Sequence, residues 1–351
     1  MTDLFRVGIP GDLDLDTKAL MSPVLQEIFD PLPGIEYDFF DTREKVIAAD
    51  EIKVYDAAIT FGTRFTSSSF SHDVRLAIIA RWGAGYDMVD LPACTEADAL
   101  LAITPEGVRK PVAEAILTFF LALAKKLPQK DKLVRTGRWD LKAEASGLGL
   151  SGKTVGSVGM GNIGAEMFRL LQPFDVGRML AYDPYVTQDQ AAQLGVELVD
   201  LPTLFKDSDF ISINCPLNDE TEGIINAELF SLMKPTAYFV NTARGPIVVQ
   251  DDLTAALQTG RIAGAGLDVF DEEPLSVNHP LTQMDNVILS PHGIAWTDDL
   301  YRGNAVGACE NVLTVLRGEV PRHTVNREVV ERPGFQAKLQ SLRERWLVLV
   351  G

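Results

Sequence analysis

Three segments in the last third of the chain carry the side-chain types that acid–base chemistry needs. They are Asn241–Gly245, which contains Arg244, the acidic stretch Asp268–Pro274, and Ser290–Gly293, which contains His292. Each segment follows a predicted strand, and ligands bind at the carboxyl edge of open α/β sheets. Taken singly, each is typical of a solvated loop. Together they would supply an anion clamp, a carboxylate and a proton shuttle.

A second group of residues is suited to bind a pyrophosphate. The stretch Val155–Gly164 is predicted as a buried strand running into G-x-G-x-x-G, and Ala165–Leu171 as a helix. Gly159 permits a tight turn, Gly161 lets backbone N–H groups approach a pyrophosphate, and Gly164 lets the helix pack close to the strand. The helix N-terminus offers free donors and a positive dipole end. This pattern indicates a dinucleotide-binding site.

The kind of dinucleotide is indicated by Asp183, which ends the next predicted strand roughly 20 residues after Gly164. Its carboxylate can accept hydrogen bonds from both ribose hydroxyls of an adenosine, whereas it would repel a 2′-phosphate. Pro184 and Tyr185 follow it, rather than Arg or Lys. The sequence therefore predicts NAD and disfavours NADP.

Composition limits the partners and the location. The 351 residues suit two domains, and the net charge of −17 would repel nucleic acid and anionic membranes. No apolar run approaches the ~18 residues of a membrane span, and Met1–Arg6 lacks the blocks of a secretory signal. The three cysteines, Cys94, Cys215 and Cys309, fit neither a disulfide framework nor a metal-ligand spacing, and the four His are too widely separated in the sequence to suggest a metal cluster. We expect a cytoplasmic protein without a metal.

The elements that must position these residues form two alternating series. The first hundred residues predict a small parallel sheet with helices on both faces. Its predicted strands are Phe5–Ile9, Ile35–Phe40, Ala57–Thr60, Leu76–Ala80 and Leu100–Ile103, with helices at Thr17–Phe29 and Asp87–Ala97. A linking helix is predicted over Pro111–Arg135, with Pro111 at its first turn.

The second series predicts a doubly wound dinucleotide domain. Its six predicted strands are Val155–Val158, Met179–Tyr182, Phe210–Ile213, Tyr238–Val240, Ile262–Leu267 and Val287–Leu289. A helix at Asp298–Leu316 follows, so we expect the C-terminal segment to complete the first domain. The predicted domains are a discontinuous substrate domain, residues 1–103 and 297–351, and a dinucleotide-binding domain, residues 104–296. No element is predicted for residues 326–351.

From about Ala57 to Val325, the order of these segments resembles the D-isomer-specific 2-hydroxyacid dehydrogenases, which include glyoxylate/hydroxypyruvate reductases and phosphoglycerate dehydrogenases. The resemblance implies a Rossmann NAD-binding domain inserted in a flavodoxin-like substrate domain, both doubly wound parallel sheets. The matching motifs are Arg81–Asp90 (R-x-G-x-G-x-D-x-x-D), Pro111–Glu114, Gly137–Trp139, the glycine turn, Cys215–Leu217 with Thr221, Asn241–Gly245, Leu267–Pro274 and Pro291–His292.

The resemblance implies three catalytic residues. Arg244 would clamp the carboxylate of a 2-oxo acid and polarise the reacting carbonyl. His292 would be the acid–base group, protonating the carbonyl oxygen in one direction and taking the hydroxyl proton in the other. Glu273 would orient His292 and favour its imidazolium form, with the adjacent Glu272 as the alternative.

The remaining matched positions imply binding roles. Backbone N–H groups of the turn after the fourth predicted strand would hold the substrate carboxylate, and other residues would contact the pyrophosphate, the nicotinamide ribose or the carboxamide. The substrate-binding set is Trp82, Gly83 and Ala84; the cofactor-binding set is Gly159, Gly161, Asn162, Ile163, Gly164, Asp183, Cys215, Pro216, Thr221, Thr242, Ala243, Asp268 and Gly293. Two roles stay open for Cys215, that of a reactive thiol and that of a small apolar residue lining the site.

Two departures from the family pattern bear on the substrate. Phosphoglycerate dehydrogenases carry an Arg for their substrate where this chain has Thr60, although Arg64 would compensate if the alignment shifts by a few residues. Ile294 stands where Gly is commoner, and Phe61, Trp82 and Trp296 are expected near the mouth of the pocket. We therefore expect an NAD-dependent oxidoreductase acting on a small non-phosphorylated 2-oxo or D-2-hydroxy acid. Glyoxylate or hydroxypyruvate is the default, and a bulkier side chain stays open.

Other functions within the resemblance stay open. One is 3-phosphoglycerate dehydrogenase activity. Another is a dinucleotide-sensing co-repressor on the same fold, since such sensors keep Arg244, Glu273 and His292. Formate dehydrogenases are disfavoured because they carry Gln where this chain has Glu273. The family also implies a homodimer formed through the cofactor domains, with Trp139 as an interface anchor or, alternatively, a core residue.

Overall fold

A computed structural model describes residues 4–11, 16–42, 45–70 and 74–350 of the chain. The secretory-signal prediction was made on Met1–Arg6, and residues 1–3 of that segment lie outside the described residues. The chain divides into two compact units, Met1–Val108 with Thr297–Gly351, and Arg109–Trp296. Each unit is built on a parallel sheet with helices, so the predicted fold class is confirmed.

The first unit contains a five-stranded sheet in the order β2-β1-β3-β4-β5, the flavodoxin-like order. Helix α3 begins later than the predicted Asp87 because Asp90 caps it, accepting a hydrogen bond from the Ala93 N–H at 3.0 Å. The strands are β1 Phe5–Pro10, β2 Ile35–Phe40, β3 Ala57–Thr60, β4 Ile78–Arg81 and β5 Leu100–Ala102; the helices are α1 Thr17–Ile28, α2 Ala49–Ile52 and α3 Leu91–Glu96.

The predicted linking helix is wrong in its bounds. Two helices occupy the region, α4 Pro105–Ala124 and α5 Leu127–Arg135. They are separated at Lys126, which has a left-handed backbone with φ of 51°, and a proline follows in the first turn of α5. Pro105 takes the first helical position that the sequence analysis gave to Pro111, which lies inside α4.

The second unit contains a seven-stranded sheet in the order β12-β11-β10-β9-β6-β7-β8. Strand β6 lies where the strand order reverses, which is the ligand-binding position of doubly wound sheets. The strands are β6 Thr154–Val158, β7 Arg178–Tyr182, β8 Val196–Leu198, β9 Phe210–Ile213, β10 Tyr238–Asn241, β11 Gly264–Leu267 and β12 Val287–Leu289; the helices are α6 Asn162–Leu171, α7 Gln188–Ala192, α8 Leu201–Asp207, α9 Ala227–Leu232 and α10 Gln250–Gln258.

Two C-terminal helices complete the first unit, α11 Asp298–Leu316 and α12 Pro333–Leu349. The first has the predicted bounds, whereas the second lies where no element was predicted. Helix α12 buries Phe335 in the core of the unit. It also brings Arg345 within 2.7 Å of Asp56, a carboxylate that is only 1% exposed. Among the described residues, no helix combines the length and the apolar character needed to cross a membrane.

Candidate functional site

The glycine turn after β6 leaves an open space in front of helix α6. Gly159 has a φ of +94°, and a Cβ there would lie 2.7 Å from the Asn214 carbonyl carbon. A Cβ on Gly164 would lie 2.5 Å from the Gly159 oxygen, whereas one on Gly161 would meet nothing within 4 Å. Within the described residues no side chain caps α6, which begins at Asn162 and Ile163. The turn therefore offers a helix N-terminus and room for a phosphate group.

Asp183 follows β7 and contacts the glycine turn directly. Its carboxylate accepts hydrogen bonds from the N–H of Met160 at 2.8 Å and the N–H of Tyr185 at 2.9 Å. A third bond, from Val186 N–H, is 3.3 Å long. Since a carboxylate has about four acceptor positions, Asp183 retains capacity for a ribose hydroxyl.

The loop after β9 carries Cys215, Pro216 and Thr221. Burial, aided by the charge of Asp183, raises the pKa of Cys215 to about 11, so the thiol is protonated at neutral pH. This favours the apolar lining role over thiolate chemistry. The Thr221 hydroxyl donates to the Pro216 carbonyl oxygen at 2.6 Å and closes the loop.

Thr242, after β10, has a buried hydroxyl oxygen without a hydrogen-bond partner within the described residues. A nicotinamide ribose hydroxyl would be a suitable partner for it.

Arg244 lies in a short turn after β10. Its Nη1 atom donates to the Ala243 carbonyl oxygen at 2.7 Å. The Asn241 side chain closes the turn, accepting from Ala243 N–H at 3.0 Å and donating to the Arg244 carbonyl oxygen at 2.9 Å. A Cβ on Gly245 would overlap the Phe270 carbonyl group. The glycine thus lets the Arg244 turn pack against the segment that follows β11.

Glu273 and His292 form a hydrogen-bonded pair after β11 and β12. His292 Nδ1 lies 2.8 Å from Glu273 Oε2, and Glu273 Oε1 accepts from the N–H of Phe270 at 3.0 Å. Burial raises the pKa of Glu273, but the His292 hydrogen bond and charge, the Phe270 N–H and the Arg244 charge together hold that pKa below its usual value. Because Nδ1 faces a carboxylate, Nε2 is the ring atom left for a reacting group. The pairing favours Glu273 over the alternative, Glu272.

Asp268 holds the backbone that carries His292. His292 has a left-handed φ of 53°, a conformation that costs a non-glycine residue about 1–3 kcal/mol. Asp268, 5% exposed, accepts hydrogen bonds from the N–H groups of Gly293 at 2.9 Å and Ile294 at 3.1 Å. Burial raises the pKa of Asp268, and these N–H groups oppose that rise. The sequence analysis did not assign this positioning contact, although an acid at a strand end was its visible signal.

The turn after β4, in the first unit, was predicted to bind a substrate carboxylate through backbone N–H groups. Two of these groups donate within the unit, Trp82 N–H to the Thr60 carbonyl oxygen at 2.9 Å and Gly83 N–H to Thr104 Oγ1 at 2.7 Å. The Trp82 side chain is only 1% exposed and packs against Phe61 with ring centroids 5.4 Å apart. Of the three N–H groups in the predicted set, that of Ala84 makes no hydrogen bond within the described residues.

Comparisons with known proteins indicate one family. The family model for the NAD-binding domain of the D-isomer-specific 2-hydroxyacid dehydrogenases matches residues 117–293. A glyoxylate reductase of Thermofilum pendens is 37% identical over 332 residues, covering 92% of this chain and 97% of the relative. A D-3-phosphoglycerate dehydrogenase of Synechocystis is 38% identical over 278 residues, covering 79% of this chain and 50% of the relative.

Solved structures agree at the level of the fold. A D-lactate dehydrogenase from Aquifex aeolicus, complexed with NAD and lactic acid, superposes with a TM-score of 0.79 at 26% identity, covering 91% of this chain and 99% of that one. The sequence match, the two parallel sheets and the site geometry lead to one assignment. The chain belongs to the D-isomer-specific 2-hydroxyacid dehydrogenase family.

Proposed function

We propose that this chain catalyses the NAD-dependent reduction of a small, non-phosphorylated 2-oxo acid to a D-2-hydroxy acid, with glyoxylate or hydroxypyruvate as the default substrate. The observation that carries the proposal is the Glu273–His292 pair at 2.8 Å, next to the Arg244 turn at the same sheet edge. The glyoxylate reductase relative supports the substrate class. In this proposal residues 104–296 form the dinucleotide-binding domain, and residues 1–103 with 297–351 form the substrate domain.

The mechanism follows from three side chains. Arg244 binds the substrate carboxylate with its planar fork and polarises the 2-oxo group. The glycine turn would hold the pyrophosphate of the dinucleotide, whose reduced nicotinamide would supply a hydride to the carbonyl carbon. His292, protonated and held by Glu273 through Nδ1, donates the Nε2 proton to the carbonyl oxygen as the carbon–oxygen double bond becomes an alcohol. In the reverse direction neutral His292 takes the hydroxyl proton.

We also propose that Asp183 selects NAD over NADP. Replacing Asp183 with Ala is expected to weaken NADH binding about 10- to 100-fold, because hydrogen bonds to charged groups are worth about 1.5–3 kcal/mol. The same change removes the repulsion of a 2′-phosphate, so the ratio of the NADPH and NADH dissociation constants should move toward one. Fluorescence titration measures both constants. Asp183→Asn removes the charge but keeps the side-chain size and the Oδ1 acceptor of Tyr185 N–H, while it loses the acceptor of Met160 N–H; comparison with Ala separates loss of the charge from loss of the side chain. An unchanged ratio in both variants would mean that the ribose is held elsewhere.

The oligomer we propose is a homodimer formed through the dinucleotide-binding domain. No residue of α5 is buried within the described chain. Leu127, Val134 and Trp139 are exposed by 58%, 57% and 64%, and exposed apolar side chains grouped in this way are typical of interfaces. We expect sedimentation to give a dimer at micromolar concentration and Trp139→Glu to give a folded monomer. A monomeric parent protein would contradict this proposal.

A second candidate is 3-phosphoglycerate dehydrogenase activity, which the Synechocystis relative favours. The residue aligned with the substrate arginine of those enzymes is Thr60, which is fully buried and donates to the Thr63 carbonyl oxygen at 3.3 Å. Thr60 carries no charge and so does not supply the cation that a phosphate group needs from this position. This observation favours a substrate without phosphate.

The proposed location is the cytoplasm. The three cysteines are free, and burial raises the pKa of Cys94 and of Cys309 to about 12. Buried protonated thiols of this kind suit a reducing compartment.

The test of the reaction is oxidation of NADH, followed at 340 nm, with a panel of 2-oxo acids. The panel contains glyoxylate, hydroxypyruvate, pyruvate, phenylpyruvate and 3-phosphohydroxypyruvate, each repeated with NADPH. We expect turnover of glyoxylate or hydroxypyruvate with NADH and little turnover of the phosphorylated acid. Tight NADH binding without turnover of any acid would overturn the proposal and favour a dinucleotide sensor.

A further inference from the structure

The amide of Asn241 is buried, and both its oxygen and its nitrogen bond to the turn that carries Arg244. Asn241 is 2% exposed. Its Oδ1 atom accepts the Ala243 N–H at 3.0 Å, and its Nδ2 atom donates to the Arg244 carbonyl oxygen at 2.9 Å. Both bonds close on backbone atoms two and three residues further along the chain. The side chain therefore holds both Ala243 and Arg244 to the end of β10.

The backbone of Asn241 is fixed independently of this turn. Asn241 pairs with Ile213 of β9 and with Leu267 of β11 as part of the central sheet. Its carbonyl oxygen also accepts the Asp268 N–H at 3.0 Å. Because the sheet holds the Asn241 backbone on both sides, the amide is a fixed reference to which the following turn must conform.

The residue types of the turn do not by themselves define its shape. Thr242, Ala243 and Arg244 are ordinary residues without the restrictions of proline, and the φ of Arg244 is −144°, which is extended backbone. Burying an amide without hydrogen bonds is costly, so alternative shapes of the turn that release the Asn241 amide are disfavoured. The two bonds thus select one backbone path for the residue that bears the guanidinium.

We propose that Asn241 is the positioning residue of Arg244: its buried amide sets the backbone from which the guanidinium reaches the substrate. The inference rests on the proposed role of Arg244 in binding a 2-oxo acid. Displacing a positioned catalytic group by about 1 Å can cost about 10²-fold in rate. Asn241 contacts neither substrate nor cofactor in this proposal and acts through Arg244.

The test compares Asn241→Ala, which removes both bonds, with Asn241→Asp, which keeps the shape. Aspartate retains the acceptor for Ala243 N–H but places an oxygen against the Arg244 carbonyl oxygen. Both variants are expected to lose about 10²-fold in kcat/KM for the 2-oxo acid, with the Kd for NADH changed less than about threefold. Val240→Ala, a fully buried truncation on the same strand, is the control. It should lower the Tm without changing kcat/KM appreciably.

Two further readouts separate positioning from a merely structural role. Binding of oxalate, a planar mimic of a 2-oxo acid, to the NADH complex should weaken in both Asn241 variants and not in Val240→Ala. In an Arg244→Lys background, Asn241→Ala should add less than about threefold to the loss, because residues that act through one another are not additive. Losses that multiply, or near-normal kcat/KM in Asn241→Asp, would overturn the proposal. An inactive parent enzyme would instead count against the proposed function, and the oxalate measurement would still decide the role of Asn241.

Discussion

Replacing His292 with Gln is expected to lower kcat by about 10³-fold or more while NADH still binds within about threefold of its normal Kd. Glutamine can donate a hydrogen bond to the carbonyl oxygen but cannot release the proton that the alcohol requires. General acid–base groups contribute about 10²- to 10⁴-fold in rate. Stopped-flow measurement of hydride transfer, together with fluorescence titration of NADH, measures both quantities. Equal collapse of NADH binding would make His292 a structural residue.

The backbone at His292 requires a second variant. His292 has a φ of 53°, and Gln tolerates this left-handed conformation poorly. Asparagine is among the residues that adopt it most readily. His292→Asn therefore preserves the backbone held by Asp268 while removing the imidazole. Both variants should be equally slow, and recovery of activity in His292→Asn would contradict the proton-transfer role.

The partner of His292 sets the pH range in which this result should be read. The pKa of Glu273 is lowered in the folded protein from an ordinary value of 4.5, with burial opposed by the His292 hydrogen bond and the other contacts described above. A depressed carboxyl pKa contributes stability above the unfolded value and loses it only as the pH falls through the lower folded value. The carboxylate of Glu273 should therefore remain ionised at pH 5 and above. A fall in activity between pH 8 and pH 5 cannot be assigned to Glu273.

The sequence was most informative where a residue type is dictated by local backbone geometry. The glycine turn was predictable because Gly159 needs a positive φ and Gly164 needs close helix–strand packing. Strands β2, β3, β9 and β12 have the predicted bounds. Every residue of β3 and β9 is buried, as expected for short apolar runs inside a parallel sheet. Strands β2 and β12 lie at the edges of their sheets and are mostly half-buried. The pairing of Glu273 with His292 agrees with the role that family resemblance implied for them.

The features that the sequence did not predict depend on contacts between residues that are distant in the chain or on single backbone conformations. Helix α12 has little sequence signal of its own, and Arg345 reaches Asp56, nearly 300 residues earlier in the chain. The break between α4 and α5 depends on one left-handed residue, Lys126, a type that carries no such preference. The N–H donors of Trp82 and Gly83 were taken as free because their acceptors, Thr60 and Thr104, lie on other segments.

Replacing Arg244 with Lys should lower kcat/KM by about 10²- to 10³-fold, the range found when one donor to a developing oxyanion is removed. The guanidinium presents a planar fork that can contact a carboxylate and a carbonyl oxygen together, whereas an ammonium is a single point charge. Steady-state kinetics with the preferred 2-oxo acid, at saturating NADH, measures the loss. Arg244 is half-buried, and its Nη1 donates to the Ala243 carbonyl oxygen at 2.7 Å. Lysine would lose this fixed orientation as well.

The charge and the shape of Arg244 can be separated, because the Arg244 charge also contributes to the lowered pKa of Glu273. Lysine keeps that charge, so Glu273 should still hold His292 and the loss in Arg244→Lys would report the missing fork. Arg244→Gln removes both the charge and the fork, and this variant should be at least tenfold slower than Arg244→Lys. If lysine is nearly as active as arginine, the substrate carboxylate is bound by another group. If lysine and glutamine are equally slow, geometry rather than charge controls the reaction at this position.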